Sequence, residues 1–564
     1  MMSVLAAPDT LALQRLYHWE KSAPDRIAFT QPIGGGAVRD YRWAEVVDQA
    51  RRMATQLQLQ GIGPGDRVAI LSKNTVHWML SDYAIFMAGA VSVPLYPTLA
   101  PTTIQQILEH SGSKLLFVGK LDGWEHMKPG IPAGLPCIAH PLASDDARKS
   151  YPLWDDVVAR NGPLAGEPVR PADELCTIIY TSGTTGMPKG VMHTFGTLAF
   201  AVQTGLTRLP LTAESRLLSY LPLSHVVERC LVEHGQLGTG FRVYFADSLQ
   251  TFTEDMQRAR PTVFFSVPRL WVKFQHAVLH KMPQKKLDLL LKLPIVSGIV
   301  KRKILDTLGL DQCVMAISGA APIPADLLRW YARIGLKIAE GYGLTENCAL
   351  SHITAPGEDI GTVGPTYDGV ECRIDPATGE ILVKSAATMT GYYRQPELTP
   401  QVFTVDGFLR TGDKGAIDAR GVLKITGRVK DLFKTSKGKY VAPAPIEDKL
   451  VMHPAVEACC VAGANLGQPL ALVMLNAEAM QEAASADGRL ALEQSLTEHL
   501  SSINATLDPH EQLECIVITD EAWTVDNDLI TPTFKVKRNR VDDRFAALYE
   551  QWERARKKVI WHKG

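Results

Sequence analysis

The chain has 564 residues, 46% of them hydrophobic and 21% charged, with a formal net charge of -1. At about 100 to 200 residues per folded unit this is several domains rather than one core. The balanced composition excludes a disordered chain and a dedicated nucleic-acid binder, so small molecules are the expected partners.

The start, "MMSVLAAPDTLALQRL", lacks the basic opening and unbroken apolar core of a secretory leader. No stretch reaches the roughly 18 to 20 apolar residues of a membrane span. The nearest, Leu289 to Val300, is interrupted by Lys292, Pro294 and Gly298. Nine cysteines without C-x-x-C or Cys/His clustering fit a reducing, cytoplasmic setting.

From Asp66 a β-branched run, a helix-period stretch and another apolar run read as a β-α-β unit. The alternation recurs at "KLLFVG" (Lys114), "CTIIY" (Cys176), "RVYFA" (Arg242), "TVFFSV" (Thr262), "VMAIS" (Val314) and "LKIAEGYG" (Leu336), which predicts several sheets of α/β type. After Gly361 short strands with hairpin-like connections, "PATGE" and "DARG", predict a β-rich portion. Beyond Lys430 an α+β pattern follows: a helix opening at "VAPAPIEDKLVMH", strands at "ACCVAG", "PLALVML" and "CIVITD", then a charged helical tail. The expected division is 1–429, with a β-rich subdomain over 361–429, and a mobile unit over 430–564.

The densest run of Ser, Thr and Gly is "TIIYTSGTTGMPKGVMH", Thr177 to His193. A loop of this kind after a buried strand offers amides, hydroxyls and one cation, which is the equipment for holding phosphate oxygens. It is not a Walker A loop, because Lys189 lies between Pro188 and Gly190 instead of preceding Ser or Thr at a helix start. The run resembles the phosphate loop of the adenylate-forming superfamily: acyl-CoA synthetases, luciferases and nonribosomal adenylation domains.

Further stretches resemble the same superfamily in order and spacing, from about Leu13 to Arg538. The resemblance implies an α/β fold, with a large multi-sheet N-terminal domain joined by a hinge to a small α+β C-terminal domain. It gives the β and γ phosphates of ATP to Thr181, Ser182, Gly183, Thr184, Thr185, Gly186 and Lys189. In "SGAAP", Gly319, Ala320 and Ala321 line one face of the purine; in "EGYGLTE", Tyr342 stacks on the adenine, Thr345 contacts the α-phosphate and Glu346 helps hold Mg2+. In "LRTGDKG", Asp413, expected at the end of a strand, accepts from the ribose hydroxyls, and in the hinge motif Arg428 contacts the ribose and Lys430 is the pivot. Gly438 lines the CoA thiol tunnel, while Glu447 is read only as a helix cap. "TPTFKVKRNR" resembles the last motif, where Lys535 aligns with the catalytic lysine, although Phe534 stands where the common form has glycine and Lys537 is close by.

The implied chemistry joins a carboxylate to the α-phosphate of ATP, releases pyrophosphate and passes the acyl group to a thiol. Two anions must meet, so positioning and charge neutralisation dominate, orientation alone contributing roughly 7 to 11 kcal/mol in favourable cases. "LPLSHVVERC", with Ser224 as a helix cap and His225 near the carboxylate or gating its tunnel, resembles the fatty-acid form of the acyl motif. "PTVFFSVPRLWVKF" and "GYYRQPELT" also resemble long-chain acyl-CoA synthetases. The expected enzyme is therefore an ATP-dependent long-chain fatty-acid-CoA ligase using Mg2+ and CoA. Carrier-protein loading, other carboxylic acids and a nucleotide-binding protein without catalysis are the alternatives. Two segments with basic flanks, Lys285 to Lys303 and the C-terminal "RFAALYEQWERARKKVIWHKG", fit interfacial helices for peripheral contact at the inner face of a membrane and fit ordinary packing helices equally well.

Overall fold

The computed structural model describes residues 7–181, 187–531 and 535–562. It is a mixed α/β protein with a large N-terminal portion and a smaller C-terminal one. The largest sheet has seven strands in the order Gly391–Tyr392, Lys189–Thr194, Leu175–Thr181, Val91–Leu95, Arg67–Leu71, Leu115–Val118, Cys137–Ala139. Its four central and distal β-α-β strands run parallel, as their apolar runs predict. Leu175–Thr181 instead pairs antiparallel with Lys189–Thr194, so the Ser/Thr/Gly run is the connection of a β-hairpin.

The helices covering this sheet follow from their apolar spacing. In Trp43–Leu59, residues Trp43, Val46, Val47, Ala50, Met53, Ala54 and Leu57 are all buried, a single stripe at i, i+3, i+4 spacing. Val76–Met87 is buried all round and is capped by Thr75, whose side chain accepts from Trp78 N. A second sheet joins Val263–Ser266, Met315–Ser318 and Ile338–Tyr342 in parallel. The last two strands deliver the "SGAAP" and "EGYGLTE" stretches to the same sheet edge, where α/β folds bind ligands.

After residue 361 an antiparallel sheet forms from Glu371–Ile374, Glu380–Lys384, Leu409–Ile417 and Leu423–Arg428. Asp413 lies inside the nine-residue strand Leu409–Ile417 and not at its end as expected; it follows Gly412, which has φ 73°. The C-terminal portion packs a helix, Ala486–Asn504, on a sheet of Val456–Ala462, Leu470–Leu475, Ile516–Thr519 and Val559–His562.

That last strand corrects the expected helical tail. Val559–His562 pairs parallel with Ile516–Thr519, Trp552 is buried, and Trp561 donates to Glu493 Oε1 at 2.6 Å under the Arg489 guanidinium. The aromatic residues read as an interfacial helix therefore belong to the core and edge of this sheet. Among the described residues no helix is long and apolar enough to cross a membrane.

Candidate active site

The hairpin that carries the Ser/Thr/Gly run is held in register by Thr181 opposite Lys189 and Tyr180 opposite Gly190. Ser182, Gly183, Thr184, Thr185 and Gly186 lie outside the described residues. Lys189 is half-buried, and its ammonium stands 5.3 Å from the centre of the Tyr392 ring. Tyr392 comes from the short strand Gly391–Tyr392 paired with Val191 and Met192, and its hydroxyl donates to Glu346 Oε1 at 3.0 Å. Burial, then Glu346, pushes the Tyr392 phenol upward, so it stays a donor. Among the described residues the other oxygen of Glu346 carries no hydrogen bond, which leaves a carboxylate oxygen of the kind a hard cation such as Mg2+ takes.

Thr345 and Glu346 open a short 3-10 turn, Thr345–Asn347. It leads into Cys348 and Ala349, both at positive φ, 54° and 57°. These are costly conformations for residues with a Cβ and mark a turn fixed by its surroundings. Gly343 is obligatory here: a Cβ on it would stand 2.3 Å from the Ala349 carbonyl carbon.

On the purine side, Gly319 is buried, Ala320 is half-buried with φ 65°, and Ala321 is exposed. The chain thus turns outward directly after the strand Met315–Ser318. Across the cleft Tyr342 donates its hydroxyl to Asp413 Oδ2 at 2.7 Å, and Arg428 Nε donates to Asp413 Oδ1 at 3.1 Å. Both oxygens expected to receive ribose hydroxyls therefore have protein partners here.

His225 is the N-cap of the next helix, its Nδ1 accepting from Val227 N at 3.3 Å. The expected cap, Ser224, is buried instead. The segment after His225 is anchored by two buried side chains. Glu228 accepts from Ser219 Oγ at 2.8 Å and Tyr220 N at 3.1 Å, and Arg229 pairs with Asp82 at 2.6 Å. Burial raises Glu228 to about 8. His225 is held neutral, lowered to about 4 by burial first and then by the charge of Lys535.

That last interaction links the far end of the sequence to the cleft. Lys535 is solvent-exposed by area yet crowded by protein. Burial lowers its ammonium, Arg428 adds to this, and Asp413 opposes it. His225, Arg428, Asp413 and Lys535 thus act on one another although 310 residues separate the first from the last. The smaller portion is also tied to the larger by an ion pair between Arg269 and Glu457, and by His126 and Asp526 at 3.2 Å.

Lys430 is exposed in the turn after the strand Leu423–Arg428. Gly438 is exposed in the turn between Phe433–Lys434 and Tyr440–Val441, with φ 73° and only open space within 4 Å of the point where a Cβ would stand. It is not gathered with the other residues. Glu447 lies inside the helix Pro443–Leu450 and does not cap it, contrary to the expectation from the sequence; its side chain turns to the sheet instead, where Arg538 Nη2 and Val461 N both donate to its Oε1 at 2.6 Å. Tyr392 and His193 are functional candidates that sequence reasoning passed over. Tyr392 sat in a stretch read only for its long-chain likeness, and His193 was the unremarked end of the phosphate run.

The chain matches the model of the AMP-binding enzyme family over residues 16–393 and that of an AMP-binding enzyme C-terminal domain over 430–552. It is 31% identical to the long-chain-fatty-acid-CoA ligase FadD15 of Mycobacterium bovis, covering 94% of this chain and 95% of that protein. Long chain acyl-CoA synthetase 3 of Arabidopsis thaliana is 28% identical, over 92% and 88% of the two chains. The adenylation domain of carboxylic acid reductase from Segniliparus rugosus, solved with AMP and a co-purified carboxylic acid, shares the fold. Its TM-score is 0.80 at 23% identity, over 98% of this chain and 97% of that one.

Proposed function

The chain belongs to the AMP-binding enzyme family, and on that footing we propose that it is an acid-thiol ligase acting on long-chain fatty acids. It joins the carboxylate to AMP from ATP, releases pyrophosphate, and transfers the acyl group to CoA. The observation that supports this most is the hydrogen-bonded group Tyr342–Asp413–Arg428, with the charges of Arg428 and Asp413 acting on Lys535 and that of Lys535 on His225.

In this reading the hairpin from Thr181 to Lys189 cradles the leaving phosphates, with Ser182 to Gly186 supplying amides and hydroxyls. Lys189 and Lys535 offset the charge that develops as the carboxylate approaches the α-phosphate. Glu346 and the phosphates would hold Mg2+, which adds charge neutralisation when bound. Asp413 exchanges Tyr342 for the ribose as ATP enters, and the freed Tyr342 ring packs on the adenine beside Gly319, Ala320 and Ala321. His225, neutral and fixed by its cap, faces the acid without adding a competing cation.

The thiol step needs a different face of the smaller unit, which we take to span 430–564 and to pivot at Lys430. Gly438 stands exposed in its turn, with open space beside it for an approaching thiol carrier. Each buried methylene adds about 0.8 kcal/mol, so a long chain supplies binding energy that acetate lacks.

Peripheral lipid contact is proposed for one of the two expected segments. The helices Gln284–Leu291 and Pro294–Thr307 form a pair on which Leu289, Ile295 and Ile299 are 62%, 83% and 64% exposed. Lys285, Lys286, Lys292, Arg302 and Lys303 surround them, also exposed. Apolar anchors ringed by lysine and arginine fit an anionic bilayer surface.

A further inference from the structure

His193 is the penultimate residue of the strand Lys189–Thr194. Side chains alternate along a strand, so Lys189, Val191 and His193 share one face. That face meets the Thr345–Glu346 turn at both ends. Lys189 reaches it through Tyr392 and Glu346, and His193 reaches it directly, its Nε2 lying 2.7 Å from the carbonyl oxygen of Thr345.

A carbonyl oxygen only accepts, so Nε2 carries the proton and Nδ1 is the acceptor. Two groups face Nδ1: Thr197 Oγ1 at 3.4 Å and Cys348 Sγ at 3.2 Å. The Thr197 hydroxyl donates to the carbonyl of Thr194 at 2.9 Å, which leaves the Cys348 thiol, also 3.9 Å from Nε2, as the close neighbour of Nδ1. His193 is 0% and Cys348 2% exposed, so bulk solvent reaches neither. The backbone of His193 is equally fixed: it pairs with Thr177, and Thr194 caps the helix Phe195–Leu206.

The imidazole thus bridges the two ends of a turn that the backbone alone disfavours. It grips the carbonyl of Thr345, the first residue, and abuts the thiol of Cys348, the first of two residues at positive φ. We propose that His193 is a positioning residue for the adenylation step: with Cys348 it locks the turn so that the Thr345 hydroxyl and the Glu346 carboxylate are held toward the phosphates before ATP arrives. Supporting groups of this kind typically change activity or metal affinity about 10- to 100-fold when removed.

The proposal rests on the ATP-dependent reading above, and the two fail differently: an inert wild type contradicts that reading, whereas an active wild type is needed to judge this one. The experiment compares acid-dependent ATP-pyrophosphate exchange in wild type, His193→Phe and His193→Gln, together with thioester formation from supplied acyl-AMP and thermal unfolding. Phe fills the site without a donor, whereas Gln presents an amide N–H at the reach of Nε2. The expected result is an exchange kcat at least tenfold lower in His193→Phe, with little change in KM for the acid, largely restored in His193→Gln. Thioester formation from acyl-AMP stays near wild type in both. Wild-type exchange in His193→Phe, equal losses in Phe and Gln, or a parallel loss of both half-reactions tracking the unfolding temperature would each overturn the proposal.

Discussion

The hydroxyl of Tyr342 lies 2.7 Å from one carboxylate oxygen of Asp413, and Arg428 holds the other oxygen at 3.1 Å. In the proposed reading the nucleotide therefore enters a site whose ribose acceptor is already satisfied. Binding exchanges one hydrogen bond for another and does not simply add one.

Two substitutions separate the parts of this exchange. Tyr342→Phe keeps the ring and frees the carboxylate, so KM for ATP should stay the same or fall a few-fold. Asp413→Ala removes a charged acceptor worth about 1.5 to 3 kcal/mol, and KM should rise roughly 10- to 100-fold. Steady-state kinetics at saturating acid reads both; a large rise in Tyr342→Phe would show that the hydroxyl itself serves the nucleotide.

Lys535 and Gly438 should divide the two half-reactions. Lys535→Ala should lower acyl-AMP formation about a hundredfold or more, as loss of a preorganised cation does, while sparing thioester formation from supplied acyl-AMP. Gly438→Leu should do the reverse. Single-turnover assays of each step test this, and equal loss of both steps in either variant would remove that residue from its assigned role.

The lipid surface makes a separate prediction. Wild-type protein should float with vesicles of phosphatidylcholine containing phosphatidylglycerol at low salt, less with phosphatidylcholine alone, and less still at high salt. The double variant Ile295→Asp, Ile299→Asp should stay at the bottom of the gradient while turning over a water-soluble medium-chain acid at the wild-type rate. Unchanged flotation of that variant would exclude the helix pair as the contact.

Stability should peak near neutral pH, for reasons of opposite sign. His140 is lowered to about 3, and His193, His225, His352 and His453 to about 4, all chiefly by burial. Below their ordinary value of 6.5 the unfolded chain takes protons that the folded one refuses, so stability falls as pH drops from 6.5 toward 4. Glu228 and Asp448 are raised to about 8 and Glu340 to about 7, again by burial. From their ordinary values of 3.8 to 4.5 up to these raised values the unfolded chain has released protons that the folded one retains, so they lower stability steadily as pH rises toward 8. Where the windows overlap the histidines outnumber the acids, so denaturation midpoints should be highest near pH 6.5. A midpoint that climbs steadily to pH 8 would contradict these assignments.

Much of the fold was legible because its strands are short apolar runs with Gly or Pro between them, as at Leu115–Val118 and Met315–Ser318. The final strand, Val559–His562, was hidden because Trp561 and His562 beside lysines read equally well as an amphipathic surface. Its partner strand lies some 40 residues earlier, at Ile516–Thr519. In the candidate site, residues inside dense motifs could be nominated from the sequence one by one. Tyr392 and His193 were not, because their roles depend on strand pairings with no local sequence signal. Asp413 was found, yet its engagement by Tyr342 is a contact across 71 residues that only the folded chain reveals.

The most direct test of the whole account is acid-dependent AMP release with Mg-ATP across saturated acids from acetate to stearate, with and without CoA, the product identified by mass. The account predicts a maximum at long chains, acyl-CoA as product, and little steady turnover without CoA. Acyl-AMP that accumulates and ignores CoA, or a maximum at acetate, would contradict it.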